Sequence, residues 1–281
     1  TKAAASATRV NEIFEKKSSV FEGVSTENPT KNFDKKISFR NVWFSYNKNE
    51  EYAVKGISVD ILVGETIGII GGTGSGKSTF INLIPRFYDV DKGEIFVDGL
   101  DVKRYKFSEL RSKIGLVPQK AVLFSGTLEE NLRWGNENAS VEEIWRAIKI
   151  SQADEFVNRL PDGLQTQILQ GGKNLSGGQK QRLTIARALI RKPEILVLDD
   201  SASALDFATD AALRGAIQQE TENLTVIIVS QRANSIKNAD KIIVFDDGEA
   251  VGIGTHEELF ESCEIYREIC LSQGENGVEN L

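Results

Sequence analysis

The chain has 281 residues, 40% of them hydrophobic and 27% charged, a globular composition with enough length to bury a sizeable core as one large domain or two small ones. Lys and Arg total 34 against 41 for Asp and Glu, a formal net charge of -7, which disfavours a non-specific electrostatic grip on nucleic acid while leaving a local basic patch open. The longest apolar runs, such as Ile195 to Leu198, are far shorter than the stretch of about 20 residues that spans a bilayer as a helix. Two cysteines, Cys263 and Cys270, are too few for a disulfide framework. On a single helix they would stand roughly 10 Å apart, too far to bridge, which fits a reducing compartment. There is no Met, even at position 1, and no signal-peptide pattern, so the chain is expected to be a fragment of something longer.

Ala4, Ala7, Val10, Ile13 and Phe14 fall near helical spacing and predict a short amphipathic helix within residues 1–20. Residues 21–36, with Gly23, Asn28 and Pro29 among polar neighbours, carry no periodicity and read as linker. Ile37, Phe39, Val42, Phe44 and Tyr46, then Ile57, Val59 and Ile61, alternate with polar residues as half-buried strands of an antiparallel layer do. Thr66 to Ile70, Ile195 to Leu198, Val226 to Val229 and Ile242 to Phe245 are short apolar runs with helical stretches between them, the pattern of a buried, mostly parallel sheet. Residues 120–191 show helical signals at Val141 to Ile150 and Gln179 to Ile190 and are expected to form a helical subdomain inserted into the core. Thr255-His256-Glu257-Glu258 reads as a capping box, so His256, the only histidine, is placed at a solvated helix start.

The apolar run at Thr66 leads into Gly71-Gly72-Thr73-Gly74-Ser75-Gly76-Lys77-Ser78, with Thr79 next. This matches G-x-x-x-x-G-K-[ST] in the strand-to-helix context that the pattern requires. The glycines allow a tight turn that points successive N–H groups inward, and the following helix presents its positive end, so a polyphosphate is held largely by backbone. Lys77 would reach the β- and γ-phosphates and Ser78 would ligate Mg²⁺. The run Ile195 to Leu198 ends in Asp199, the form of a buried strand delivering a carboxylate to the metal beside those phosphates.

Leu175-Ser176-Gly177-Gly178-Gln179-Lys180-Gln181-Arg182, followed by Ala186-Arg187-Ala188-Leu189 and the acidic strand, resembles the signature of ATP-binding cassette (ABC) proteins. A serine and two glycines ahead of a helix offer a hydroxyl and free N–H groups to a phosphate. The resemblance covers roughly residues 37–271. It implies an α/β fold: a P-loop NTPase core with a mostly parallel sheet, an antiparallel β-layer and an inserted helical subdomain at about 120–191. The ATP-binding domain would be 37–272, with 273–281 as a C-terminal tail. By the same resemblance Tyr46 matches the aromatic that stacks on adenine and Val54 a residue beside it. Gln119 matches the glutamine that reaches Mg²⁺, so the metal set becomes Ser78, Gln119 and Asp199. Ser203-Ala204-Leu205-Asp206 is similar to the loop that faces the opposing nucleotide site, and Leu175 to Gln179 would contact the partner's ATP. Phe124 to Asn131 and the opening stretch Ala3 to Phe14 look like the exporter branch, the latter being similar to the end of a last transmembrane helix, with the membrane part expected before Thr1.

Two departures from the family pattern bear on mechanism. Asp200 stands where hydrolytic members carry Glu, retracting the carboxylate by about 1.5 Å, and Gln231 stands in place of the switch histidine and cannot be charged near neutral pH. Gln170 likewise replaces a glutamate usual before the exporter signature. The resemblance therefore implies one ATP-binding half of a heterodimeric multidrug-type exporter, cytosolic at the membrane face, with its own hydrolytic site degenerate and no nucleic-acid partner. A homodimeric ATPase using Asp200 as a weaker base, and a soluble cassette protein acting on nucleic acid or ribosomes, remain as alternatives.

Overall fold

Alternating and continuous apolar runs sort into two different sheets, because a strand buried on one face needs a polar partner face and a strand buried on both does not. The computed structural model describes residues 2–15, 18, 20–24, 34–47, 51–201, 203–221 and 223–274. In chain order the elements begin with α1 (Lys2–Glu15), β1 (Lys35–Phe44), β2 (Val54–Leu62), β3 (Thr66–Gly71) and α2 (Lys77–Leu83). Next come β4 (Lys92–Val97), β5 (Leu100–Asp101), α3 (Phe107–Ser112) and β6 (Ile114–Val117). The inserted region holds β7 (Gly126–Thr127), α4 (Leu128–Arg133), α5 (Val141–Ile150), α6 (Asp154–Asn158), β8 (Gln167–Ile168) and α7 (Gly177–Ile190). The chain then returns through β9 (Ile195–Asp199), α8 (Phe207–Glu220), β10 (Thr225–Val229), β11 (Lys241–Asp246), β12 (Glu249–Gly254), α9 (His256–Ser262) and α10 (Glu264–Ser272).

The layer β2-β1-β4-β5 is antiparallel, and the core sheet runs β12-β11-β3-β10-β9-β6, parallel except for the β11–β12 pair. Ile37, Phe39 and Ile61 of the layer share one apolar cluster with Ile67, Ile69, Val197 and Ile227 of the core sheet. The opposite face of that sheet, through Leu196, Leu198, Val226 and Ile228, shares a second cluster with Ile144, Ile148, Leu183 and Ile185 of the inserted helices. Phe80 of α2 stacks on Phe39 at 4.3 Å and leans on Phe245 at 5.1 Å, fixing the helix after the glycine loop between the two sheets.

The expected strands and the helices at Val141 and Gln179 are present, and the α/β architecture holds. One boundary differs, and short strands are present that the sequence pattern does not announce. β1 begins at Lys35, inside the stretch read as linker; Lys36 is buried because it pairs with Asp98 at 2.6 Å and with Glu194, while Lys113 pairs with both acids. Charge neutralisation, not hydropathy, lets a lysine start this strand. β6 carries a glycine and only four residues, too short for its pattern to be read. The inserted region also contains the two-residue pair β7–β8. Linker residues 25–33 and the tail 275–281 lie outside the described residues.

Residues just before β1 are held against the domain. Gly23 N–H donates to Tyr105 O at 3.1 Å, and Glu22 Oε1 accepts from Phe107 N–H at the start of α3. Val10, Ile13 and Phe14 of α1 are exposed. Thr255 forms the expected capping box, and His256 Nδ1 lies 2.9 Å from the hydroxyl of buried Tyr266. Cys263 falls between α9 and α10; both cysteines are buried and free. No helix among the described residues is long and apolar enough to cross a membrane.

Candidate active site

β3 delivers the chain into the glycine loop from the middle of the core sheet, so the loop has rigid backbone on either side. Gly76 holds φ at 101, and a Cβ there would lie 2.4 Å from Ala53 O, which restricts the position to glycine. Gly72, Thr73 and Gly74 are exposed, and a Cβ at Gly72 or Gly74 meets nothing within 4 Å. The cradle is therefore open on its outer side. Lys77 is buried, and its ammonium donates to Gly71 O at 2.9 Å, Gly72 O at 2.6 Å and Ser75 Oγ at 3.3 Å. Burial pushes its pKa down, and Asp200 and Asp199 pull it back up.

At the end of β9, Asp199 Oδ1 accepts from Ser78 Oγ at 3.2 Å. Burial raises the Asp199 pKa, the Ser78 bond opposes that rise, and the Asp200 charge adds to it. Asp200 follows in a left-handed conformation, φ 44, with its N–H bonded to Val229 O at 2.9 Å. Its Oδ2 accepts from Gln119 Nε2 at 3.1 Å. Burial raises its pKa too, opposed first by the Gln119 bond and then by the Arg232 charge. Asp199 and Asp200 thus act on the Lys77 charge, while Ser78 and Gln119 are bonded to those two carboxylates; carboxylate, hydroxyl and amide oxygens are the hard donors suited to Mg²⁺ held jointly with phosphate oxygens. No larger His, Cys, Asp and Glu cluster that could cage a metal exists among the described residues.

Tyr46 lies just past β1, 54% exposed, with its hydroxyl 3.0 Å from Thr79 Oγ1 and its ring edge-on to Phe44 and Tyr88. That ties an exposed aromatic to the helix carrying the phosphate loop. Val54 is fully buried opposite Phe44 in the β1–β2 register, so it supports the strand that presents the aromatic. Gln231 is exposed after β10, and its neighbour Ser230 donates its N–H to Ile69 O of β3 at 3.0 Å.

Ser176 caps α7: its Oγ accepts from Gln179 N–H at 3.2 Å, and Gln179 Oε1 accepts from Ser176 N–H at 2.9 Å. Leu175 is buried, while Ser176 and Gly177 are exposed. A Cβ on Gly178 would lie 3.1 Å from Ala204 O, so the signature meets the 203–206 segment of its own chain. That segment is anchored by Ser203 Oγ donating to Asp200 O at 2.7 Å and by Asp206 capping α8 through Thr209; Leu205 is buried. Arg232 donates to Ser203 O and Leu205 O and lies over the Phe207 ring. Neither Arg232 nor its neighbour across the fold, Gln273, was legible as a site residue, since no motif or spacing links them to the loop.

A sequence model described as ABC transporter matches residues 54–203. The chain belongs to the ABC transporter family. Among its relatives, the "Uncharacterized ABC transporter ATP-binding protein YfiB" of Bacillus subtilis (strain 168) is 45% identical over 283 residues, covering 100% of this chain and 48% of that protein. The "Putative multidrug export ATP-binding/permease protein YgaD" of the same organism is 39% identical over 240 residues, covering 85% and 41%. A solved structure described as a bacterial Atm1-family ABC exporter with ATP bound superposes with a TM-score of 0.89 at 32% identity, over 96% of this chain and 47% of that one. This ABC domain therefore spans about half the length of the curated relatives it matches, and it is an ABC transporter ATP-binding domain with the P-loop NTPase fold, close to exporter-type ATP-binding proteins.

Proposed function

We propose that this ABC domain is one ATP-binding half of a heterodimeric, multidrug-type membrane exporter, binding Mg²⁺ and ATP while hydrolysing poorly at its own phosphate loop. The observation that carries the reading is the Asp200–Gln119 contact at 3.1 Å. The carboxylate at the general-base position is one methylene short and already engaged by the neighbouring amide. Gln231, at the switch position, supplies no proton-accepting ring nitrogen. Gly71 to Thr79 cradle the phosphates with Lys77 as their cation, and Tyr46 offers the base a stacking face. Ser78, Gln119 and Asp199 would hold Mg²⁺, which neutralises developing charge on the phosphoryl oxygens. Binding and turnover are thereby separated, since the cradle is intact and the water-activating groups are not.

Partner surfaces follow from the same reading. Ser176 to Gln179 and Ser203 to Asp206 lie together and would face the nucleotide of a second ABC subunit arranged head to tail. A groove of about 410 Å³, lined by Phe87, Arg111, Val122, Trp134 and Arg187 between the core and the inserted helices, suits a helical segment of the membrane part. That part would place this domain at the cytoplasmic face of the membrane. The carboxylate of Asp200, delivered at the end of β9, also admits a second reading, a homodimer in which Asp200 serves as base.

Single-turnover hydrolysis beside nucleotide binding, measured on the purified chain, separates the two. The expected result is retained Mg²⁺·ATP binding with phosphate release slower by about 100-fold than in a Glu- and His-containing relative, the cost of displacing a catalytic group by about 1 Å. Comparable release would overturn the degenerate-site reading. In the assembled transporter, Ser176→Ala with Gly178→Asp in this subunit should abolish ATPase activity while Asp200→Asn leaves it largely intact; the reverse pattern assigns hydrolysis to this chain.

A further inference from the structure

The end of α10 reaches the segment after β10 through one side chain. Gln273 Nε2 donates to Gln231 O at 2.7 Å, and Gln273 Oε1 accepts from Ala233 N–H at 2.9 Å. One planar amide thus spans the backbone on both sides of residue 232, and its two ends match a carbonyl and an N–H, so reversing the amide would break both bonds. The anchor behind it is firm. Tyr266 and Cys270 of α10 are fully buried, and Gln273 N–H closes the helix on Cys270 O at 3.1 Å.

On its other side the same segment is tied to the phosphate-loop strand by Ser230 N–H to Ile69 O, and Ser230 Oγ accepts from Arg232 N–H at 2.9 Å. Residue 231 is held between these ties, with β3 before it and Gln273 after it. Arg232 carries the arrangement onward, because its guanidinium donates to the carbonyls of Ser203 and Leu205. An exposed loop residue without such ties would sample several backbone conformations, and each would carry its side chain to a different place.

We infer that Gln273 is a positioning residue for nucleotide recognition, holding the 231–233 backbone so that the side chain at 231 meets the terminal phosphate of ATP. The inference rests on the reading of residue 231 as the phosphate-facing switch position. ADP lacks the terminal phosphate and would be held by the groups that meet the base and the inner phosphates, none of which Gln273 touches, so the clamp at Gln273 affects ATP binding and spares ADP binding.

The test compares the unsubstituted chain with Gln273→Ala and Gln231→Ala, using calorimetric titration of ATP and ADP and amide exchange over residues 230–236. The expected result for Gln273→Ala is exchange at Ala233 faster by about tenfold and ATP binding weaker by about tenfold, the loss of one or two net hydrogen bonds. ADP binding should change less than about twofold. A structural role alone would weaken both nucleotides together and overturn the proposal, as would unchanged exchange at Ala233. If Gln231→Ala lowers the preference for ATP and Gln273→Ala does not, the positioning role is wrong while the reading of residue 231 stands. If exchange rises but neither substitution alters the preference, residue 231 does not face the phosphate, and the proposal falls with that reading.

Discussion

Gly76→Ala places a methyl group where the backbone holds φ at 101 and where the new Cβ would sit 2.4 Å from Ala53 O, against a closest real approach of 3.0 Å. Ala53 cannot retreat, because its own N–H is bonded to Phe44 O at 2.8 Å and the next residues pair in β2. The left-handed conformation costs a non-glycine residue about 1–2 kcal/mol, and overpacking against fixed backbone costs about 1–3 kcal/mol. Together they destabilise the domain by roughly 2–5 kcal/mol, which for a chain of this size lowers the melting temperature by roughly 3–9 °C. Gly72→Ala is the matched control: its Cβ meets nothing within 4 Å and its φ is not left-handed. Its melting temperature should stay within about 2 °C of the original, while the methyl group intrudes on the cradle and weakens ATP binding. Scanning calorimetry with and without Mg²⁺·ATP measures both effects. If Gly76→Ala melts within about 2 °C of the unsubstituted chain, the contact between the glycine loop and the layer is not the constraint described above.

Asp60 is ion-paired with Lys35 at 2.7 Å and Arg40 at 2.8 Å; burial alone would raise its pKa, but hydrogen bonds from Lys35, Ser38 and Arg40 outweigh burial and hold it at about 2 against an ordinary 3.8. The unfolded chain binds the proton more readily, so this stabilisation is fully present above 3.8 and is lost as pH falls towards about 2. Asp60→Asn should cost about 1–2 kcal/mol near neutral pH after discounting for solvent screening, and urea unfolding across that acid window should show the two proteins converging. Ser176→Ala removes the α7 cap and should destabilise the lone chain by about 0.5–2 kcal/mol, whereas Ser176→Asp keeps a capping acceptor and melts like the original. If Ser176→Asp nevertheless abolishes ATPase in the assembled transporter, repulsion of a phosphate rather than lost folding is responsible, and retained ATPase would refute phosphate contact at this serine.

The parts of this fold that could be read from sequence are those fixed by local chemistry. The glycine loop announces itself because backbone curvature around a phosphate restricts residue type at fixed offsets. The core strands β9 and β10 are legible because burial on both faces leaves no polar position. The capping box at Thr255 is written within four consecutive residues. The remaining features depend on residues far apart in the chain. The buried start of β1 at Lys36 requires Asp98 and Glu194, which arrive from other elements, and nothing near Lys36 hints at them. Gln273 and Gln231 meet only because α10 folds back over the core sheet. The resemblance sets Val54 beside the adenine aromatic, whereas its burial opposite Phe44 depends on the β1–β2 register, which a list of motif positions does not contain.

The attachment of Glu22 and Gly23 to the turn at Tyr105–Phe107 has a mechanical consequence. A pull on the chain ahead of Glu22 does not first strain β1, although β1 is the next element in sequence. The load enters through two hydrogen bonds at the start of α3, and from there α3 leads directly into β6, the edge strand of the core sheet. Two residues beyond β6 lies Gln119, whose amide grips Asp200. The contacts that lead from Glu22 and Gly23 towards the carboxylate therefore run through α3 and β6 and bypass β1.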